Sequence, residues 1–237
     1  MITIDLERLH CSAGDRVLDM GCGEGRHTAA VCGRQEVWCV GSDRSVEDLV
    51  KTREKLDVHR RMNDFAADGA SLAASDIRAL PFQAQSFDAV ICSEVLEHID
   101  RDKQAARELL RVLKPGKMLA VSVPTFFPEK MCWMLSKAYS SESGGHVRIY
   151  GKHALIGMIE ELGARHVKTG HAHSLHSPFW WLKCIAGKNR EDSALVNLYH
   201  RFLVWDLMEN PRLTRTIEKF LDPVLGKSLV LYFVKDA

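Results

Sequence analysis

Arg16-Val17-Leu18-Asp19-Met20-Gly21-Cys22-Gly23-Glu24-Gly25-Arg26 is the stretch from which the fold can be read. Residues 17–20 form a short apolar run of strand length, Gly21, Gly23 and Gly25 follow at alternate positions, and Thr28, Ala29, Ala30 and Val31 continue as a helix. A strand entering a helix through such a turn sheds side chains where the backbone bends sharply, and lets a ligand approach the main chain. The pattern places a small-molecule site at the carboxyl end of this strand. A dinucleotide fingerprint would want its third glycine at position 26, where the chain has Arg26.

Outward from this stretch the same alternation recurs. Residues 36–42 (EVWCVGS) are an apolar, β-rich run ending at Asp43, and 45–63 have helical period, with Val46, Leu49, Val50, Arg53 and Leu56 toward one side. Residues 69–75 read as a weaker third strand and 86–93 (SFDAVICS) as a buried fourth; 101–112 are an amphipathic helix ending in Leu113-Lys114-Pro115-Gly116, and 117–123 (KMLAVSV) a fifth strand. Strands alternating with helices predict a doubly wound α/β fold, a parallel sheet with right-handed crossovers. Upstream, residues 6–11 read as a short lead-in helix and 12–15 as the turn into the first strand.

Composition narrows the function classes. At 237 residues the chain is one α/β domain with room for an insertion. Lys plus Arg number 32 against 31 Asp plus Glu, a formal charge of +1, so no general electrostatic drive toward nucleic acid is expected. The seven cysteines are scattered without a CxxC pair, which argues against a disulfide framework or zinc knuckle. With no signal-peptide run and no stretch of membrane-spanning length, a cytoplasmic protein is expected, with peripheral membrane contact left open and oligomeric state unspecified.

Asp43 stands about where a carboxylate accepts hydrogen bonds from both ribose hydroxyls of a nucleoside seated between two strand ends; capping the helix that follows is the simpler role open to it. The motif VLDMGCGEG, then ASDIRALPFQAQSFDAVICSEVLEHI and RELLRVLKPGKMLAVSVP in the same order, resembles the class I S-adenosylmethionine (SAM) dependent methyltransferases of the small-molecule type over roughly residues 14–124. The resemblance implies a seven-stranded sheet with an antiparallel seventh strand. It further implies SAM as methyl donor and a small-molecule acceptor. Gly21 and Gly23 would admit the amino acid tail of SAM, Asp19 would help hold its ammonium, Asp43 the ribose, and Asp76 with Ile77 the adenine. Cys22, Arg44 and Ser93 complete the implied cofactor set. A solvated aspartate in a surface turn is the ordinary alternative for Asp76.

Past Pro124 the pattern loosens. Residues 129–139 read as a helix, 140–145 (SSESGG) as a flexible loop, 152–162 as a helix and 164–170 as the sixth strand. Residues 228–234 (SLVLYFV) make the seventh, far more than the ~2 to 5 residues of a hairpin loop beyond the sixth. Residues 171–227 are therefore a helical insertion, with helices near 194–208 and 211–221, expected to cap the substrate side. Its stretch 177–185 (SPFWWLKCI) mixes aromatic and basic residues, which suits internal packing or a lipid surface.

Methyl transfer is an in-line displacement, so alignment supplies much of the rate, and an acceptor hydroxyl or amine must lose a proton. Glu97, His98, His146 and Tyr150 are the candidates at the expected mouth. His171 and His173 would share one face of an extended strand near His176. Without an acidic or thiolate partner at a telling spacing no metal site is assigned to them, and a substrate-side base is the better reading. The rival readings are a non-catalytic SAM-binding scaffold, a nicotinamide-dependent oxidoreductase, which Arg26 disfavours, and a methyltransferase of RNA or protein, which lacks a basic face.

Overall fold

The computed structural model describes residues 1–34, 36–62, 69–136, 139, 145–187 and 192–237. Seven strands form one sheet: β1 (Arg16–Met20), β2 (Trp38–Asp43), β3 (Ala70–Ala74), β4 (Phe87–Ser93), β5 (Leu113–Pro124), β6 (Ala164–Ala172) and β7 (Ser228–Lys235). Their spatial order is β3-β2-β1-β4-β5-β7-β6. β7 runs antiparallel to both β5 and β6, and the other pairings are parallel. The order reverses between β1 and β4, and in such sheets ligands bind outside the carboxyl ends of the strands at that switch point.

All seven residues of β4 are buried, as a strand covered on both faces requires. On one face Leu18, Val90, Leu119, Leu231 and Phe233 pack against α3 (Asp102–Val112) and the helix Lys152–Glu160. On the other, Val17, Ile91, Ala120 and Tyr232 pack against α1 (Arg26–Arg34) and the 3-10 turn Leu6–Leu9. His27 of α1 ties in the amino-terminal segment, its Nε2 accepting from Thr3 N at 3.1 Å and Ile4 N at 3.3 Å. Burial, with the neighbouring Arg26 charge, pushes this imidazole down to about 3, so it stays neutral.

Several expectations need correction. In α2 (Val46–Arg61) the buried face is Leu49, Thr52 and Leu56, while Val46 and Val50 face solvent, because Thr52 is drawn inward by the glycine turn. β5 begins at Leu113, not Lys117: Leu113 pairs with Phe87, and 114–117 bulge before pairing resumes at Met118 opposite Ala89. The bulge brings Lys114 (2.8 Å) and Lys117 (3.3 Å) onto Asp88. α4 (Phe126–Leu135) starts three residues before the expected Glu129, and the expected 140–145 loop lies largely outside the described residues.

With α5 (Lys152–Glu160) in the expected place, residues 173–227 hold α6 (His176–Ala186), α7 (Ala194–Glu209) and α8 (Arg212–Leu225). α6 was not anticipated. Its Trp181 indole donates to Pro128 O at 3.1 Å, and Trp180 is flanked by the Lys183 and Lys227 ammoniums, each 4.7 Å from its ring centre. The aromatic stretch is thus spent largely on internal packing. α8 turns Thr214 and Glu218 inward, where Arg215 pairs with Asp206 and Glu218, and carries Leu213, Phe220 and Val224 on its exposed side. Among the described residues no helix is long and apolar enough to cross a membrane.

Candidate functional site

The turn after β1 is held from three sides. Ser42 O at the end of β2 accepts from Gly21 N (2.7 Å) and Cys22 N (3.0 Å). The Thr52 hydroxyl of α2 donates to Gly23 O at 2.7 Å. Asp43 Oδ2 accepts from Gly23 N at 2.9 Å, and its Oδ1 accepts from Ser45 N at 2.8 Å. Of the roles foreseen for Asp43 the contact with the start of α2 is present: Oδ1 meets it, Oδ2 meets the turn, and a carboxylate with about four lone-pair sites keeps capacity for two more donors.

Gly21 and Gly23 both take left-handed backbone angles, φ +74° and +51°. A Cβ on Gly21 would lie 2.2 Å from Val95 Cγ2, whereas one on Gly23 would meet nothing within 4 Å. Glycine at 21 is demanded by packing as well as by the turn. At 23 only the backbone demands it, and the bare main chain forms part of a cavity wall.

That cavity, of about 880 Å³, is lined by Gly21, Gly23, Asp43, Arg44, Asp76 and Ile77 on one side. Val95, His98, Trp133, His146 and Val147 also line it. A second hollow, about 450 Å³, shares Gly21 and Gly23 and adds Cys22 and Ser93. The cofactor residues expected from the sequence thus gather around one turn, except Asp19, which lies beneath it. The fit is specific at three points: bare backbone at Gly23, unspent acceptor capacity on Asp43, and the buried Ile77 side chain at the wall for an aromatic face. Asp76 is less open. Its oxygens accept from Arg78 N (2.9 Å), Nε (2.9 Å) and Nη2 (2.5 Å), and these hydrogen bonds hold its carboxyl down to about 2.

Asp19 is 1 % exposed, and its Oδ2 accepts from the Thr28 hydroxyl at 2.7 Å. Burial pushes its carboxyl up to about 6. A folded pKa above the unfolded value of ~3.9 means that the folded state binds this proton more tightly, so the group's stabilising share is complete below about pH 4 and is lost as pH rises through 6. Against the Asp19→Asn chain, which has no such proton, the parent is expected to lose roughly 5 °C or more of melting temperature between pH 4 and pH 7.5. Thermal melts of both chains across that range check this. A difference that does not change with pH would refute it.

The remaining candidates divide. Glu97, His98 and His146 come together, with one ligand atom of each within 4.8 Å of the others. Tyr150 does not join them: it is buried, donates to Asp102 Oδ2 at 2.7 Å and accepts from Arg148, and burial with the Asp102 charge holds its hydroxyl well above the usual phenol range. His171 lies in β6, but His173 has left the strand at φ +68° and sits 3.2 Å from the Thr3 hydroxyl, so the two do not share a strand face. Lining residues 133 and 145–147 precede β6, and among the described residues none from 171–227 lines the cavity. The aromatic face of α6 packs on α4, the helix that carries Trp133.

Glu129 was missed by sequence reading. It is 3 % exposed, and its Oε1 accepts from His146 Nδ1 at 2.6 Å and from the Trp133 indole at 3.0 Å. Burial acts to raise its carboxyl, but hydrogen bonding from His146 prevails and holds it below the usual range. The available signal was a glutamate within the apolar run FFPEKMCWML.

Residues 18–121 match the family model described as a methyltransferase domain. The chain is 33 % identical over 116 residues to the methyltransferase GfsG of Streptomyces halstedii, covering 49 % of this chain and 40 % of that protein. It is 31 % identical over 152 residues to the ubiquinone/menaquinone biosynthesis C-methyltransferase UbiE of Pseudomonas paraeruginosa, covering 63 % and 56 %. The chain thus spans about half the length of these relatives. A crystal structure described as a putative methyltransferase from Bacillus halodurans shares the fold at TM-score 0.66 and 15 % identity, covering 98 % and 97 % of the two chains. So does the [4+2]-cyclase SpnF, at 0.63 and 19 %, covering 98 % and 78 %.

Proposed function

We propose, since residues 18–121 match a methyltransferase-domain model and the sheet has the order and antiparallel β7 of the class I fold, that this protein transfers a methyl group from SAM to a small organic acceptor. The observation that carries the reading is the turn at Gly21 and Gly23, bound to Asp43 and opening on a cavity of about 880 Å³. When bound, SAM supplies an electrophilic methyl on a sulfonium. This chain's residues do the rest. Gly23 offers bare main chain to the amino acid tail, Asp43 accepts from the ribose hydroxyls, and Ile77 covers a face of the adenine while Asp76, Arg44, Cys22 and Ser93 border it. Asp19 acts from below through the turn.

The acceptor side falls to Val95, Ile99, Trp133 and Val147, an apolar surface bordered by His98, His146, Glu94 and Asp100. Such a surface suits an aromatic or lipidic acceptor, held so that its nucleophilic atom meets the methyl in line. The polar group of Glu97, His98 and His146 handles the acceptor's proton, and Glu129 positions His146. We assign Tyr150 a structural role, closing the ion pair of Arg148 with Asp102. That the curated relatives include both C- and O-methyltransferases supports a shared donor site with acceptor sides that differ.

The test is calorimetric titration of the full chain with S-adenosylhomocysteine, with NADH as control ligand, followed by transfer of a labelled methyl to a panel of phenols, quinols and lipids. Micromolar binding of S-adenosylhomocysteine alone is the expected result. Binding of NADH in its place would overturn the reading.

A further inference from the structure

We infer that Glu97, His98 and His146 form a site for one divalent transition-metal ion on the acceptor side of the cavity. The inference refines the proposed reading of that side and rests on it for purpose, though not for the binding itself. The imidazole rings of His98 and His146 stand 4.8 Å apart at 64°, and His98 Nε2 lies 4.0 Å from Glu97 Oε1.

The hydrogen positions follow from the partners. His146 Nδ1 lies 2.6 Å from Glu129 Oε1, and His98 Nδ1 lies 3.1 Å from the carbonyl oxygen of Gly145. An ionised carboxylate and a carbonyl only accept, so both rings carry a hydrogen on Nδ1, and in the neutral imidazole the lone pair is then on Nε2. This is how proteins hold metal-ligating histidines: the second ring nitrogen donates to a carboxylate or a backbone carbonyl, which fixes the ring and raises the basicity of the first. Two histidines 48 positions apart both meet the condition, one by each kind of partner.

Glu97 supplies an independent observation. Its side chain is fully buried, and neither carboxyl oxygen has a hydrogen-bond partner. Leaving such a group unbonded costs ~1–3 kcal/mol or more. One ligand atom of each of the three side chains lies within 4.8 Å of the others, and a cation among them would give the Glu97 carboxylate the partner it lacks. Glu94 and Glu129 add negative charge around Glu97, against the single ammonium of Lys227.

Two nitrogens and one carboxylate suit Zn²⁺, Mn²⁺ or Fe²⁺ rather than the all-oxygen preferences of Mg²⁺ and Ca²⁺. Bonds of ~2.0–2.2 Å require the ligand atoms to draw together by roughly an ångström, which the half-exposed His98 side chain permits. Three protein ligands leave a position open. An acceptor oxygen held there would be lowered in pKa and fixed in place, so that it would release its proton to solvent water while the imidazoles act as ligands.

The test uses the full chain, stripped with chelator and titrated calorimetrically with Zn²⁺, Mn²⁺ and Mg²⁺, and separately with Co²⁺ followed by visible absorption. The expected result is one tight Zn²⁺ per chain, a Co²⁺ d–d band, and at most weak binding of Mg²⁺. His146→Ala and Glu97→Gln should each weaken Zn²⁺ at least ~10-fold, while His173→Ala should not, which excludes adventitious capture by the 171–176 histidines. S-adenosylhomocysteine affinity, measured in the same variants, should stay within about twofold of the parent, since none of these residues is assigned to donor binding. Zn²⁺ binding weaker than ~1 mM, or unchanged in both His146→Ala and Glu97→Gln, would overturn the metal site and leave the methyl-transfer reading standing. Loss of S-adenosylhomocysteine binding with Zn²⁺ retained would do the reverse.

Discussion

Replacing Gly21 with alanine is expected to lower the melting temperature by roughly 5 °C or more. Two costs add. The left-handed backbone at φ +74° costs an alanine ~1 kcal/mol or more, and the new methyl would stand 2.2 Å from Val95 Cγ2, an overlap of the kind that costs ~1–3 kcal/mol. Val95 is β-branched and has little rotamer freedom to yield. Gly23→Ala carries a backbone cost too, at φ +51°, but its methyl meets nothing within 4 Å. It should therefore fold nearly as well as the parent and lose donor affinity, because the methyl stands in the cavity wall. Melting curves and titration with S-adenosylhomocysteine on both variants check the division. Equal loss of stability in the two would show that the Val95 contact does not matter.

Asp43→Ala is expected to weaken S-adenosylhomocysteine binding by ~100-fold or more, since hydrogen bonds to an ionised acceptor are worth ~1.5–3 kcal/mol each and two are lost. The same change strips acceptors from Gly23 N and Ser45 N, so the turn itself loosens. Asp43→Asn separates the two effects, as it keeps one side-chain oxygen and the size of the group. An affinity within threefold of the parent in Asp43→Ala would sink the ribose assignment.

The sheet and the glycine turn were legible because both are written in local sequence. Alternating glycines announce three left-handed residues at 21, 23 and 25, and all three are present. The unbroken apolar run of β4 announces a strand buried on both faces. The acceptor side was legible only as separate names. Glu97 and His98 are neighbours, but His146 and Glu129 reach them through α4 and the chain that follows it, and no spacing encodes that meeting. α6 escaped for another reason. Its aromatic residues serve α4 and two lysine ammoniums, a pattern without the regular apolar stripe that marks a helix on a sheet. Asp76 shows the limit of reading one position at a time, because its ion pair with Arg78 two residues on decides how much of its carboxylate remains open.

β7 lies between β5 and β6, yet residues 173–227 separate it in sequence from β6. On the ribosome, β1 to β5 can therefore pair as they emerge, while β6 has no neighbour to join until β7 has been made. During that interval β5 presents an unpaired edge. Pairings across long loops are slow to form, and open edges are where nascent chains associate. The polar sequence of β6, with Arg165, His166, Lys168 and His171, suits a strand that waits in water for its partner. A chain interrupted before residue 228 would hold every residue proposed for the donor side and still leave β5 and β6 unjoined.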